Sequence, residues 1–366
     1  MARPEAAVSK ISASTWTIPT DLPESDGTIA WDRTTLVLAD VEAGGAKGTG
    51  YTYCDGAAAP LIAKTLAEVL RGRDAFAIEA AWTSMADAVR NLGRPGIAAC
   101  AISALDMALW DLKARLLDIP LATLFGPARE EVRVYGSGGF TSYTDRQIAD
   151  QLSGWSAQGC SWVKMKVGRE PARDTARVDA ARRAVGASAG LFVDANGAYA
   201  RKQALEFADI FAERGVAWFE EPVSSDDLEG LRLMRDRAPA GMEIAAGEYG
   251  YTPFYFRNML EAGAVDVLQA DATRCGGYTG FFRAAALCDA WGIALSSHCA
   301  PAVHLPAAIA APRLRHMEWF HDHVRIEQML FEGAPHVQGG AIAPDLSRPG
   351  NGLVFRRADA ERYAKG

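Results

Sequence analysis

The chain has 366 residues, 49% of them apolar, and carries a formal net charge of −7 from 38 basic and 45 acidic side chains. A length beyond one ordinary core predicts a large domain with a smaller companion, and interspersed charges with no polybasic patch argue against a nucleic-acid partner. The first twenty residues hold no apolar run fit for a signal peptide and no segment approaches transmembrane length, which predicts a cytoplasmic protein without a membrane partner.

In chain order, residues 1–125 predict an α+β cap. A strand runs from about Lys10 to Trp16, a polar loop from Thr17 to Asp32, a strand from Thr34 to Ala39, and mostly helix follows to about Leu124. The helix from about Ala99 to Leu116 places Ile102, Leu105, Leu109, Leu112 and Leu116 at amphipathic spacing, stops before Pro120, and is expected to pack the cap onto its neighbour.

From about residue 130, short β-rich runs alternate with helical patterns, the rhythm of βα units. The candidate strands are Val132 to Tyr135, Trp162 to Val167, Leu191 to Asp194, Ala217 to Glu220, Glu243 to Ala246, Val265 to Ala270, Ile293 to Ser297 and Met317 to Trp319. Eight such strands close a barrel. After about Gly333 the chain turns rich in Gly and Pro and reads as a return segment. The fold class is thus α/β: a (β/α)7-8 TIM-like barrel over 126–334, with a separate α+β capping domain at 1–125 completed by about 335–366.

Ionisable residues fall where the predicted strands stop, the end of a barrel that carries its active site. Asp194, Glu220 and Glu248 close three successive strands and form the oxygen-rich ligand set of a hard cation such as Mg2+. Strand parity within WFEEP selects Glu220 over Glu221. Lys164 and Lys166 share one strand face, where mutual repulsion and the nearby metal are expected to lower a lysine pKa. Lys166 then suits a general base, while Lys164 stays charged against a substrate carboxylate. Asp271 ends the strand before His298, so its carboxylate can fix the imidazole tautomer. Glu318, on the last strand, is expected to bear a proton raised by burial and to hydrogen-bond the substrate carboxylate. His321 and His323 either flank the pocket mouth and meet substrate hydroxyls, or pair with Asp322 and close the barrel base. The six cysteines, at 54, 100, 160, 275, 288 and 299, form no CxxC pair and read as reduced thiols, Cys54 and Cys299 being the two that could lie near a pocket.

Taken together these residues resemble the enolase superfamily, in particular its mandelate racemase subgroup. The similarity rests on AISALDMALWDLKARLLDIPLATLFG, KMK at Lys164 to Lys166, VDAN, FEEP, AAGE, DATRCGG, SSH, MEW and GGAIAPDLSRPGNGL, and so spans nearly the whole chain. The resemblance implies that Asp194, Glu220 and Glu248 bind Mg2+, that Lys166 and the His298–Asp271 dyad stand on opposite faces of the substrate, that Asn196 sits beside it, and that Glu318 helps stabilise an enediolate. Ala114-Arg115 and Phe125-Gly126-Pro127 depart from the subgroup's common glycine-lysine and leucine-glycine-glycine, at packing positions.

The function so read is an Mg2+-dependent lyase that abstracts the α-proton of a sugar-acid carboxylate and eliminates the β-hydroxyl to give a 2-keto-3-deoxy acid. The preference for dehydration follows the subgroup by analogy. The alternatives are a racemase or epimerase of a 2-hydroxy acid and, more remotely, a non-catalytic carboxylate-binding barrel. A homo-oligomer is expected, again from the resemblance.

Overall fold

The structure, a computed structural model, describes residues 6–187 and 189–364. The first five residues, part of the stretch read above for a signal peptide, and the last two of the return segment lie outside them. The described chain begins with an antiparallel sheet of β1 (Val8–Ser25), β2 (Ala30–Ala43) and β3 (Ala46–Tyr53), in that order. The expected polar loop from Thr17 to Asp32 is instead the distal half of the β1–β2 hairpin, bulged between Pro19 and Glu24. Its polar side chains mark a ribbon solvated on one face; Trp16 and Ile18 alternate inward and are buried.

Strand β3 falls in a stretch expected to be mostly helix, and it carries two glycines, Gly48 and Gly50. They serve close approach: a Cβ on Gly50 would stand 2.2 Å from the Ala104 carbonyl oxygen, so only glycine lets the helix Ile97–Leu116 lie flat on the sheet. That helix starts two residues before its expected position and is buried along nearly its whole length. One side faces the sheet. On another, Asp106 accepts from Thr279 Oγ1 at 2.7 Å, tying the cap to the barrel helix Gly277–Trp291.

The barrel comprises β4 (Val132–Gly138), β5 (Trp162–Lys166), β6 (Gly190–Asp194), β7 (Val216–Glu220), β8 (Glu243–Ala246), β9 (Val267–Ala270), β10 (Ala294–Ser297) and β11 (Leu314–Phe320). Each pairs in parallel with the next and β11 pairs back to β4, so eight strands close the ring. The return segment adds Ala341–Ile342 antiparallel to the outer end of β4. It then crosses to the cap, where Asn351 N donates to Asp111 Oδ1 at 2.7 Å and Phe355 lies 5.3 Å from Trp16, ring to ring.

The pleat sorts the barrel interior into layers. A lower layer is aromatic: Tyr135, Trp162, Phe192, Trp218 and His316, with Phe192 stacked on Trp218 at 5.0 Å and Tyr135 edge-on to His316 at 4.8 Å. Two residues further along the same strands stand Ser137, Lys164, Asp194, Glu220 and Glu318. The tip of the β1–β2 hairpin rests above them. A Cβ on Gly27 would meet the carbonyl oxygens of Ala195 at 2.3 Å and Val167 at 2.8 Å, and Ser25 Oγ lies 2.6 Å from Thr141 Oγ1. Among the described residues no helix is long and apolar enough to cross a membrane.

Candidate active site

The charged layer is nearly sealed from solvent. Lys164, Asp194 and Glu220 are fully buried, and Lys166, Glu248, His298 and Glu318 are at most 5% exposed. Lys164 Nζ lies 2.7 Å from Glu220 Oε1, 2.8 Å from Glu318 Oε1 and 3.5 Å from Asp194 Oδ2. Lys166 Nζ pairs with the same Asp194 oxygen. Ser137 Oγ donates to Glu318 Oε1 at 2.6 Å.

Asp194, Glu220 and Glu248 each present a carboxylate oxygen within 4.8 Å of the others. Glu248 Oε2 is buried and has no hydrogen-bond partner. Burial and the neighbouring Asp194 push the Glu220 carboxyl up to about 8, whereas the two lysines hold Asp194 below its ordinary value against its own burial. Three converging acids, one kept ionised and one with an orphaned oxygen, fit a hard divalent cation, which relieves both the repulsion and the missing contact. Glu221, just past the strand end at φ +37°, is also buried, and burial with Glu248 alongside raises its carboxyl well above the usual range.

Opposite stands the second group. His298 Nδ1 lies 2.9 Å from Asp271 Oδ2, which leaves Nε2 facing the interior, 3.5 Å from Glu248 Oε2 and 3.8 Å from Glu318 Oε2. Burial disfavours the imidazolium, but Glu248, Glu318 and Asp271 outweigh it and raise the histidine's pKa. Asp271 Oδ1 accepts from the backbone and hydroxyl of Thr273, both at 2.7 Å. Arg274 Nε sits 3.6 Å from Asp271 and its Nη1 3.4 Å from Glu248.

One electrostatic expectation is corrected, and the other turns on the metal. Among the protein's own groups, burial acts to lower the Lys166 pKa and Lys164 adds to that, but Asp194, Glu248 and Glu220, the three converging carboxylates, overcome both and raise it. Burial alone raises Glu318, but Lys164, His298 and Lys166 pull it well below the ordinary carboxylate value, so it stands ionised and not as a proton-bearing acid. For Glu318 the expectation counted burial alone, where the fold adds three basic groups beside it.

Asn196, at φ +46°, donates its backbone N–H to Asp194 Oδ1 at 2.9 Å and keeps a buried, unpartnered Oδ1. His321 pairs with Asp21 of the cap hairpin, Nε2 to Oδ2 at 2.9 Å, and not with Asp322, whose buried carboxylate pairs with Arg325 at 2.5 Å. His323 stacks on Tyr53 at 3.6 Å and accepts from the Ala300 backbone; burial drives its pKa to about 3, so it is neutral. Sequence reasoning missed Arg274 and Ser137, and His304 is structural. His304 Nε2 accepts from Ala272 N at 2.7 Å, buttressing the loop that holds Asp271. Arg274 lies in DATRCGG, where an arginine three residues after a strand-end acid was a usable signal. Cys299, at φ +51°, places Sγ 3.3 Å from His298 Nε2.

Residues 10–126 match the family model "Mandelate racemase / muconate lactonizing enzyme, N-terminal domain", and residues 147–360 match "Enolase C-terminal domain-like". A mandelate racemase/muconate lactonizing enzyme-like protein from Rubrobacter xylanophilus superposes with a TM-score of 0.96 at 52% identity, over 98% of this chain and 100% of its own. An L-talarate dehydratase from Polaromonas sp. JS666, complexed with Mg and L-glucarate, does so with a TM-score of 0.89 at 30% identity, over 99% and 98%. Among curated proteins, the 3,6-anhydro-alpha-L-galactonate cycloisomerase of Streptomyces coelicolor is 35% identical over 95% of each chain. With its cap, its closed barrel and the charged layer between them, the chain belongs to the enolase superfamily, in the mandelate racemase subgroup.

Proposed function

We propose that this enzyme abstracts the proton α to the carboxylate of an acid sugar and expels the oxygen substituent on the β-carbon, with Mg2+ held by Asp194, Glu220 and Glu248. The observation that carries the reading is the pair of proton-transfer groups, Lys166 Nζ and His298 Nε2, both aimed into one buried chamber around the three carboxylates. It is supported by the Mg and L-glucarate in the Polaromonas dehydratase. Mg2+ supplies a Lewis acid toward the substrate carboxylate.

The chain's own groups do the rest. Lys164, pinned by Glu220 and Glu318, faces the negative charge that builds on the carboxylate oxygens as the proton leaves. Lys166 takes that proton; with Mg2+ held by Asp194, Glu220 and Glu248, the carboxylate charge that otherwise keeps the ammonium protonated would be shared, leaving Lys166 closer to a working base. His298, its Nδ1 proton held by Asp271, protonates the departing β-oxygen from Nε2. Glu318 orients Lys164 and repels anions bound in the wrong register, and Asn196 Oδ1 meets a substrate hydroxyl. His321 acts through Asp21, by fixing the hairpin over the mouth. We read the chain as a cap of 1–125 completed by 335–366, with a barrel at 126–334.

The cycloisomerase relative favours a second version of the same step. A β-oxygen that belongs to a ring leaves by opening the ring, and no water is released. Incubating open-chain and anhydro or lactone acid sugars with the Mg2+-loaded enzyme, and following 2-keto acid formation by NMR in D2O, tests both versions. Exchange of the α-proton without loss of the β-oxygen makes the enzyme a racemase or epimerase and overturns elimination. Absence of exchange with every acid overturns catalysis at this site.

A further inference from the structure

Outside the three carboxylates, a second convergence of donors combines different chemistry. His298 Nε2, Cys299 Sγ and a Glu318 oxygen lie within 4.8 Å of one another, all buried. Individually, Nε2 is 3.3 Å from Cys299 Sγ, 3.5 Å from Glu248 Oε2 and 3.8 Å from Glu318 Oε2. A tetrahedral zinc, with bonds of about 2.0–2.3 Å to nitrogen, oxygen and sulfur, sets its donors about 3.3–3.6 Å apart. The measured separations meet that edge length or exceed it slightly.

Glu318 spends its Oε1 on Lys164 at 2.8 Å, while its Oε2 accepts the Cys299 backbone N–H at 2.9 Å and keeps a lone pair for His298 and the thiol beside it. Asp271 on Nδ1 fixes the tautomer that leaves the Nε2 lone pair free, the carboxylate–histidine arrangement that orients zinc ligands. The left-handed backbone at Cys299 and Ala300, φ +51° and +39°, turns the thiol back beside the imidazole in place of leading it into the following helix.

We propose that His298 Nε2, Cys299 Sγ and Glu318 Oε2 form a second metal site with its fourth position open to water, selective for a thiophilic divalent cation such as Zn2+. Binding replaces the Cys299 S–H proton, which passes to solvent, with a sulfur–metal bond, and nothing is oxidised or reduced. The thiolate separates this site from the all-oxygen triad, since soft sulfur favours zinc over magnesium. Occupancy covers the Nε2 lone pair, so zinc silences turnover even with Mg2+ in excess. That consequence rests on the proposed role of His298, whereas the binding itself does not.

The full-length protein, saturated with Mg2+, is titrated with Co2+ as the spectroscopic probe. The expected result is a thiolate-to-cobalt charge-transfer absorption that Zn2+ bleaches, that Cys54→Ser retains, and that both Cys299→Ser and Cys299→Ala lose. An all-oxygen site gives no such band. No band in the native protein, or a band that survives in the folded Cys299 variants, overturns the site. In parallel, Zn2+ inhibition is measured against each variant's own zinc-free rate, and half-inhibition in Cys299→Ser should need at least about tenfold more zinc. Equal sensitivity places inhibition at the triad and overturns the inhibitory claim. A thiolate band with full turnover supports the site and overturns the acid/base role of His298.

Discussion

Replacing Lys164 with methionine removes an ammonium that lies within 3.5 Å of three carboxylates. The side chain is fully buried, and its Nζ lies 2.7 Å from Glu220, 2.8 Å from Glu318 and 3.5 Å from Asp194. Methionine fills a similar volume, so the cavity term is small and the electrostatic one decides. Removing one member of a buried pair costs about 3–5 kcal/mol, because the partner charge stays behind without solvent. At about 2 °C per kcal/mol for a protein of this size class, Tm in EDTA should fall roughly 5–10 °C. Part of the loss is avoidable by proton uptake, and Glu220, already raised to about 8, is the first acceptor. An acid whose folded pKa lies above its unfolded value of 4.5 adds stability below 4.5 and loses it as pH rises toward 8. The deficit of Lys164→Met should therefore be smaller at pH 5.5 than at pH 8. Saturating Mg2+ should raise Tm more in the variant than in the native protein. Thermal melts at the two pH values, with and without Mg2+, read all of this. A variant that melts with the native protein in EDTA, or whose deficit ignores pH, refutes the shared-cation argument.

Lys166→Ala and His298→Asn should each lower turnover by about 10²–10⁴-fold, while only Lys166→Ala also abolishes washout of the α-proton into D2O, as read by NMR. Asp271→Asn should weaken turnover with little change in KM, since it disturbs the tautomer and not the substrate contacts; a KM-dominated effect contradicts that assignment. Burial, then the proximity of Asp322, pushes the Glu24 carboxyl from 4.5 to about 9, so its stabilisation is lost as pH climbs through that window. Glu24→Gln should flatten the decline of Tm between pH 5 and 9. Gly27→Ala places a methyl 2.3 Å from the Ala195 carbonyl oxygen and must lift the hairpin tip. A raised KM with a Tm shift of only about 1–3 °C is the expected pattern, measured by steady-state kinetics and melting.

The parts of the fold that were legible in the sequence are those where local pattern and tertiary role coincide. Barrel strands are short, apolar and followed by a chemically distinctive residue, so Asp194, Glu220 and Glu248 could be placed on strand ends before any geometry was known, and the three do converge. The cap hairpin was not legible, because its residues from Thr17 to Asp32 are polar for being solvated on one face, and polarity is also what a loop shows. Strand β3 hid behind Gly48 and Gly50, whose reason is a helix more than fifty residues downstream. Ionisation states were the least legible. The sign of the Lys166 and Glu318 shifts depends on which charges lie within a few ångströms, and spacing along the chain carries no such information.

The aromatic layer under the charged one sets the proton economy of the chamber. Tyr135, Phe192 and Trp218 close the barrel from below, and Lys164 Nζ stands 5.4 Å above the Tyr135 ring. On the opposite side the hairpin tip at Gly27 packs against the carbonyl oxygens of Ala195 and Val167, so the charged layer lies enclosed between the two. A proton taken from substrate therefore stays on the enzyme for as long as the tip is seated. How much deuterium label returns to the same carbon becomes a clock for the opening of the cap.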